Sequence, residues 1–454
     1  MKPQELFDRS TTTRREFLKH SGQAMAGAAL TGALAAPRAG YCAEKNEIKI
    51  AFVGCGGRGT GAMANALGTQ PGAKLWAMAD VFPHRLETSL KALTTKFEKQ
   101  VDVSMSRQFI GFDAFKRAID TLDKGDVVFL TTPAGFRPIH FEYAVQKGVN
   151  VFMEKSFAVD APGIRRILRA NEVAKQKNLK IAGGLMWRHD KPREEVIQRI
   201  HDGAIGELLL LRTYRLHGPV GFKPKQAGES ELAHQIANYS CFTWLNASFL
   251  VDWLIHNIDV CCWAKNAWPV TAQGHGARVA RKNPDQMFDQ YMIEYTFPDG
   301  TKLLAEGRHN TGCWDIYSDF AHGTKGSAVI MDSLAAPKPR IYKNHVQTPE
   351  NETWRYSGPP CDPYNVEHEL LFDAIRNNKP YNETERCARA CMTSIMGRMA
   401  AESGKLINYD EALASNIEQA PGLEKIMSLD APAPVQPDAN GQYPVPVPGQ
   451  TKVL

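Results

Sequence analysis

The sequence predicts an α/β protein in which a parallel sheet with crossover helices precedes a region built on a mostly antiparallel sheet. Short apolar runs alternate with longer amphipathic segments from residue 47 to about residue 184, the pattern of successive β-α-β units. After about residue 188 the chain changes to longer segments in which apolar and polar residues alternate. Pro298-Asp299-Gly300 separates two of these segments and indicates a hairpin turn.

The first 43 residues are typical of an export leader rather than of a folded domain. Thr13–Lys19 contains an Arg-Arg pair followed by Phe-Leu-Lys and resembles the twin-arginine export signal. The Ala/Gly-rich run that follows is shorter than the roughly 20 apolar residues needed to span a membrane. We therefore expect a soluble periplasmic protein that meets the twin-arginine translocase during export and has no stable membrane insertion.

Residues 46–185 form the first predicted domain. Its strands are short apolar runs, as expected when helices cover both faces of a parallel sheet. These runs are Ile48–Val53, Lys74–Ala79, Val127–Thr131, Val151–Met153 and Leu179–Ala182.

Residues 186–430 form the second predicted domain, and residues 431–454 a Pro-rich arm that is either extended or disordered. Alternating patterns predict strands, and longer apolar periodicities predict helices. The strands are Leu208–Leu216, Gln290–Phe297 and Thr301–Glu306, and the helices are Phe249–Trp263, Asn365–Asn377 and Glu383–Ser403.

Composition argues against several functional classes. The formal net charge of +5 is small for 454 residues, and the chain has no concentrated basic stripe of the kind that binds nucleic acid. The nine cysteines form no C-x-x-C pair and no Cys/His cluster with zinc spacing, so no metal site is predicted.

A glycine-rich loop predicts a dinucleotide site. The segment Gly54-Cys55-Gly56-Gly57-Arg58-Gly59 matches G-x-G-x-x-G, follows the first predicted strand and opens a helix. The glycines allow a tight turn and close approach of a pyrophosphate to the helix N-terminus. Asp80 ends the next strand, where a carboxylate can bind ribose hydroxyls, which favours NAD. Arg58 and Arg85 could hold a further phosphate, so NADP stays possible.

Two further segments carry ionisable residues at positions suited to catalysis. Lys155 closes a predicted strand at the carboxyl edge of the sheet, where such folds bind ligands. Asp252, His256 and Asp259 are spaced by four and three residues, which places them on one face of a predicted helix. The alternatives are a solvated lysine at the end of a strand and a histidine buried in the core.

Together these motifs resemble the glucose-fructose oxidoreductase, inositol dehydrogenase and rhizopine catabolism (Gfo/Idh/MocA) family over about residues 47–420. The resemblance rests on the glycine loop, the run from Thr132-Pro133 through His140 to Gly148, Glu154-Lys155, the Asp252/His256 helix and Tyr364-x-x-Glu367-His368. It implies a Rossmann domain, an open-faced α/β domain that forms homo-oligomers, either dimers or tetramers, and a sugar or cyclitol substrate. Thr132, Pro133, His140 and Glu154 are then cofactor-binding residues beside the glycine loop.

The resemblance also assigns catalytic positions. Lys155 corresponds to the lysine of the family's Glu-Lys-Pro motif, and Asp252 and His256 to its Asp-x-x-x-His pair. Ser156 stands where the family usually has proline, which predicts a looser backbone beside Lys155.

These positions predict a mechanism. His256 is expected to act as general base on a substrate hydroxyl, with Asp252 orienting its imidazole and Lys155 stabilising negative charge on the same oxygen. Predicted substrate contacts in the second domain are Arg188, His189, Asn238, Tyr239, Trp244 and Asp259.

Two other functions stay open. Some relatives use NAD in a closed cycle that cleaves a glycoside without net oxidation, and a non-catalytic sugar-binding protein could use the same fold. The intact Glu154-Lys155 pair favours the dehydrogenase. Because free NAD is scarce outside the cytoplasm, an exported enzyme is expected to hold its cofactor tightly.

Overall fold

A six-stranded parallel sheet forms the first part of the fold. The computed structural model describes residues 47–332 and 338–454, so the predicted export leader lies outside the described residues. The strand order is β3-β2-β1-β4-β5-β6. Successive strands are added to one side of β1 and then, from β4 onward, to the other side, and doubly wound sheets bind ligands in the crevice at this switch point. The strands are β1 (Ile48–Val53), β2 (Ala73–Asp80), β3 (Gln108–Ile110), β4 (Val127–Leu130), β5 (Asn150–Met153) and β6 (Ile181–Gly183).

Five helices connect these strands. Each carries an apolar stripe that packs against the sheet, while Pro and Gly residues mark several helix ends. Asp160 caps the last of them by accepting a hydrogen bond from the backbone N–H of Gly163. The helices are α1 (Gly57–Thr69), α2 (Pro83–Phe97), α3 (Ala114–Asp120), α4 (Arg137–Lys147) and α5 (Ala161–Gln176).

A nine-stranded sheet follows, in the order β14-β13-β12-β11-β7-β10-β9-β8-β15. All its neighbouring strands are antiparallel except β7 and β10, so the predicted mostly antiparallel sheet is confirmed. The predicted hairpin joins β9 to β10. The strands are β7 (Leu208–His217), β8 (Thr271–Ala277), β9 (Gln290–Thr296), β10 (Lys302–His309), β11 (Ile316–Gly323), β12 (Ser327–Met331), β13 (Arg340–Tyr342), β14 (Glu352–Arg355) and β15 (Ile407–Asn408).

The helices of this second part pack against one face of the large sheet and against the first sheet. The predicted helix Phe249–Trp263 divides into a π-helical turn, Leu250–Leu254, and an α-helix. The helices are α6 (Lys191–His201), α7 (Glu231–Ala237), α8 (Thr243–Asn246), α9 (Ile255–Lys265), α10 (Pro363–Arg376), α11 (Thr384–Ser403) and α12 (Tyr409–Ala414).

The Pro-rich arm, residues 431–454, has no helix or strand, and most of its residues are exposed, but Ala433, Tyr443 and Val453 are buried. The Gln235 side chain donates to the Val435 carbonyl at 2.7 Å, and the Tyr443 hydroxyl donates to Glu231. These contacts hold the arm against α7, whose far side faces the crevice described next. In the described part of the chain, no helix is long and apolar enough to cross a membrane.

Candidate functional site

A deep cleft lies at the carboxyl ends of the parallel strands. It encloses about 1060 Å³, partly open to solvent, and its floor is formed by the loops after β1, β2, β4 and β5. Ile236, Tyr239, Asn246 and Asp252 close its other side. The cleft is therefore shared between the parallel sheet and the segment that leads into α9, which is where open α/β sheets bind ligands.

The glycine loop has the shape that a dinucleotide requires. Gly54 has a φ of +97°, and a Cβ at Gly59 would lie 2.4 Å from the Gly54 carbonyl oxygen, so neither position accepts a side chain without a shift. A Cβ at Gly56 or Gly57 would meet nothing within 4 Å, which leaves open space above the loop. No side chain caps α1, so its first N–H groups are available to a phosphate.

Asp80 borders the same cleft at the end of β2. Its two carboxylate oxygens accept hydrogen bonds from the backbone N–H groups of Cys55, at 2.7 Å, and Phe82, at 2.9 Å. A carboxylate has about four acceptor sites, so these two bonds fix the group and leave capacity for hydroxyl donors. Arg85 also borders the cleft, where it could hold the additional phosphate of NADP.

Thr132, Pro133 and His140 line the cleft beside an aromatic wall that was not predicted. The His140 ring stacks on Phe115 with 4.0 Å between centroids, and its Nδ1 lies 3.2 Å from the Thr132 hydroxyl. Burial, with the nearby Arg137 charge, lowers the pKa of His140 to about 3, so the ring is neutral and acts as a flat packing surface. Phe112, Phe115 and Phe136 complete the wall.

Arg58 ties the glycine loop to the end of β5 and to α10. Its Nε lies 2.6 Å from Glu154 Oε1, and its guanidinium stacks over the Tyr364 ring at 4.4 Å. Glu367, fully buried, lies 3.8 Å from the Arg58 Nη2. Burial raises the pKa of Glu367 well above its usual range, and the Arg58 charge opposes this shift.

Lys155 and Asp252 meet in the cleft although they are 97 positions apart. The Lys155 Nζ donates to Asp252 Oδ1 at 2.6 Å and to the Asp252 carbonyl oxygen at 2.5 Å. Burial lowers the pKa of Lys155, but the charge and hydrogen bond of Asp252, together with Tyr239 and Glu154, raise it overall, so the amine is an ammonium at neutral pH.

Ser156 replaces the family's proline without the expected loosening of the backbone. Its hydroxyl donates to the Val251 carbonyl oxygen at 2.6 Å, and the side chain is buried. This bond fixes the residue after Lys155 to the π-helical turn. The prediction of a looser backbone was therefore wrong, because a hydrogen bond does the work expected of the ring.

His256 is half-buried, is not among the residues that line the cleft, and has a buried Nδ1 without a hydrogen-bond partner. Burial and the nearby charges of Lys155, Arg215, Arg58 and Arg193 lower its pKa well below the usual value, so the imidazole is neutral.

The predicted orientation of His256 by Asp252 is corrected. In the described part of the chain, the side-chain hydrogen bonds of Asp252 go to Lys155 and none reaches His256. The π-helical turn has more residues per turn than an α-helix, so residues 252 and 256 are not stacked as i and i+4. Asp259 is also turned away, in a two-pronged ion pair with Arg188 at 2.8 Å.

Of the six predicted substrate contacts, Tyr239 lines the cleft, and the other five do not. Arg188 and Asp259 satisfy each other, His189 Nε2 lies 3.4 Å from Glu383, and the Asn238 amide bonds the backbone of Lys223. Trp244 is fully buried, with its N–H donating to Gln235 at 2.7 Å. The other five residues pack around the cleft without lining it. Their positions in the sequence did not distinguish residues that line the cleft from residues that pack behind it.

Arg215 is a site residue that sequence reasoning missed. It lies on β7 on the same face as the buried Leu211 and Thr213, next to His256. The signal was present, because a charged side chain at an inward position of an alternating strand is unusual.

Comparison with known proteins agrees with this geometry. Residues 48–182 match the model of an oxidoreductase family with an NAD-binding Rossmann fold, GFO_IDH_MocA. The match covers the segment that carries the glycine loop, Asp80 and Glu154-Lys155. The predicted NAD cofactor, the class of NAD-dependent oxidoreductase and the two-part α/β fold are thereby confirmed.

Relatives extend the likeness beyond the Gfo/Idh/MocA segment. The inositol 2-dehydrogenase of Ralstonia nicotianae is 24% identical over 293 residues, covering 63% of this chain and 75% of the relative. That of Burkholderia vietnamiensis is 24% identical over 334 residues, covering 72% and 86%.

Two solved structures share the fold. The aldose-aldose oxidoreductase from Caulobacter crescentus has a TM-score of 0.62 at 18% identity and covers 80% of this chain and 99% of its own. The scyllo-inositol dehydrogenase from Lactobacillus casei, with bound NAD(H) and scyllo-inositol, has a TM-score of 0.59 at 23% identity, with the same coverage.

Proposed function

We propose that this protein transfers hydride between NAD and a hydroxyl-bearing carbon of a sugar or cyclitol. The observation that carries the proposal is the Lys155 ammonium, fixed in the cleft by Asp252, with the neutral imidazole of His256 beside it. The inositol 2-dehydrogenases among the relatives support the substrate class.

The glycine loop and Asp80 would hold the cofactor. The loop has open space above it and free N–H donors at the start of α1, and the Asp80 carboxylate has acceptor capacity left. When bound, NAD supplies a nicotinamide ring that accepts or returns a hydride. The aromatic wall of Phe112, Phe115 and Phe136 excludes water from the apolar part of the cleft.

Lys155 and His256 would have different roles at the reacting hydroxyl. The Lys155 ammonium donates a hydrogen bond to the substrate oxygen and stabilises negative charge that develops there. His256 is uncharged at neutral pH and therefore has a free lone pair that can take the hydroxyl proton. Asp252 positions the amine and keeps it charged.

The direct test is to supply NAD with myo-inositol, scyllo-inositol or common aldoses and to follow NADH by absorbance. We expect His256→Ala to lower turnover by about two to four orders of magnitude, the usual contribution of a general base. His275→Ala, at an exposed histidine on β8, is the matched control and should keep full activity. Full turnover in His256→Ala would rule out its role, and aglycone release without NADH would instead indicate the closed glycosidase cycle.

We propose further that the protein is exported with its cofactor tightly bound. Arg14 and Arg15 lie outside the described residues, so this proposal rests on the leader sequence. Replacing both by Lys should leave the full-length chain in the cytoplasm. Denaturing the purified exported protein should release NAD, and an absence of nucleotide would contradict tight binding.

A further inference from the structure

Four cationic side chains lower the pKa of His256 through their charges, and three of them have carboxylate partners. Lys155 pairs with Asp252 at 2.6 Å, Arg58 with Glu154 at 2.6 Å, and Arg193 with Asp190. The fourth, Arg215, has no ion pair and no hydrogen bond to any described residue, and its Nε is a buried donor without a partner. One positive charge beside His256 is thus left uncompensated.

The buried carboxyl of Asp319 feels the Arg215 charge but makes no hydrogen bond or ion pair with it. Asp319, on the neighbouring strand β11, accepts hydrogen bonds from Thr213 at 2.6 Å and from Asn257 at 2.8 Å. Arg215 instead stacks over the Tyr317 ring, 4.1 Å from its centroid. Stacking leaves the N–H groups at the guanidinium edge unused, and an unmet buried charged donor is costly unless a ligand meets it.

The surroundings of Arg215 connect it to the reacting end of the cleft. His217, two residues along β7 on the same face, has a buried Nε2 without a partner. Its ring lies 6.2 Å from that of Trp253, and Trp253 lies 5.9 Å from the Lys155 Nζ. Arg215, His217, Trp253 and Lys155 therefore form one wall. Its unmet donor is the Arg215 Nε, because His217 Nδ1 donates to the Gly218 carbonyl oxygen and leaves Nε2 as an acceptor.

We propose that this wall is a subsite for an anionic group and that the substrate is a sugar or cyclitol that carries a carboxylate, such as a uronate or an aldonate. The inference rests on the proposed function and narrows its substrate class. A carboxylate accepts two parallel hydrogen bonds from a guanidinium edge, and a hydroxymethyl group does not. A phosphate offers the same acceptor chemistry, so the test includes it.

The test compares ligands that differ in one group. Binding of D-glucuronate, D-glucose and D-glucose 6-phosphate to the purified protein is measured by calorimetry, for the wild type and for Arg215→Gln, Arg215→Lys and Arg355→Gln. We expect glucuronate to bind more tightly than glucose and Arg215→Gln to weaken glucuronate by about 10- to 100-fold, the range of a charge-assisted pair. Arg215→Lys should weaken it less, because the charge remains without the two-pronged geometry.

Arg355→Gln is the matched control, since Arg355 is an exposed arginine of the same sheet paired with Glu352. It should leave all three affinities unchanged. Preference for glucose 6-phosphate that depends on Arg215 would support the anionic subsite and identify phosphate as its group. Equal binding of glucuronate to wild type and Arg215→Gln, or no binding of either anion, would overturn the inference and leave Arg215 a stacking residue.

NADH formation separates this inference from the proposed function. Arg215-dependent binding of glucuronate without NADH from any sugar would support the subsite and contradict the dehydrogenase. Oxidation of glucuronate with a KM that Arg215→Gln does not change would support the dehydrogenase and overturn the subsite.

Discussion

At the scale of single residues, the charge of Lys155 depends on Asp252. Burial alone disfavours an ammonium, and the Asp252 carboxylate at 2.6 Å makes the largest contribution against that effect. The same carboxylate was expected to serve His256. Its use by Lys155 keeps the lysine charged, and the lysine charge in turn helps to keep the histidine neutral.

Asp252→Asn should therefore move the alkaline limb of the pH profile. Without the carboxylate the pKa of Lys155 falls, so the amine loses its proton at a lower pH and activity declines earlier as pH rises. A loss of about 1–3 pKa units is the usual effect of removing an adjacent opposite charge. The measurement is kcat/KM against pH for wild type and Asp252→Asn, and an alkaline limb at the same pH in both would show that Lys155 does not control it.

At the scale of elements, the glycine loop combines two different requirements. Gly59 is small because α1 packs directly on the loop, with Thr131 Oγ1 and the Gly54 carbonyl each 2.4 Å from where a Cβ would lie. Gly56 faces open space in the cleft. One glycine therefore serves packing, and the other serves access of the cofactor.

Alanine at these two positions should separate the roles. Gly59→Ala forces the loop apart and should lower the free energy of unfolding by about 1–3 kcal/mol, the range for overpacking. Gly56→Ala should unfold like the wild type but bind NAD more weakly, because its methyl group occupies the space for the pyrophosphate. Thermal unfolding without nucleotide and NAD titration by fluorescence give the two quantities, and equal unfolding of both variants would contradict the packing argument.

The elements of the first sheet were largely predictable, because each central strand is a short, fully buried apolar run. β3 was missed, since its three residues are partly exposed and carry no such run. The strands β11 to β14 were also missed. Their order is set by pairing within the large sheet rather than by local pattern.

The π-helical turn could not be predicted from the helical spacing of its residues. Its carbonyls at Val251 and Asp252 accept hydrogen bonds from Ser156 and Lys155, which lie far away in sequence. A turn stabilised by such tertiary bonds leaves no periodic signal. For the same reason, the motifs indicated which residues belong to the site but not which of them bond to each other, as with Asp252 and Lys155.

At the scale of the whole molecule, one hydrophobic core runs between the two sheets, and the cleft lies where they meet. Helices pack on one face of the nine-stranded sheet. On the other face, the central strands carry charged residues such as Arg212, Lys302 and Glu306 together with five half-buried apolar residues, namely Leu210, Tyr214, Leu304, Ile316 and Phe320. We refer to these five residues as the outer face.

We propose that a second copy of the chain covers the outer face. The five residues lie on three adjacent strands, β7, β10 and β11, where Arg212 stands between Leu304 and Phe320 in the register. Contacts between subunits commonly combine apolar residues with arginine and other polar residues in this way. The Tyr214 and Phe320 rings, 6.1 Å apart and edge to face, lie at the centre of the outer face.

Phe320→Glu should convert the oligomer into a monomer, because a carboxylate at the centre of the outer face would be buried without a partner on association. Light scattering after size-exclusion chromatography measures the mass of each variant. Val279→Glu, at a 59% exposed apolar residue outside the strands, is the matched control and should keep the wild-type mass. A monomeric wild type, or an unchanged mass in Phe320→Glu, would show that the outer face is not the contact. Since the outer face is opposite the cleft, the monomer should retain NAD binding, which separates loss of assembly from loss of fold.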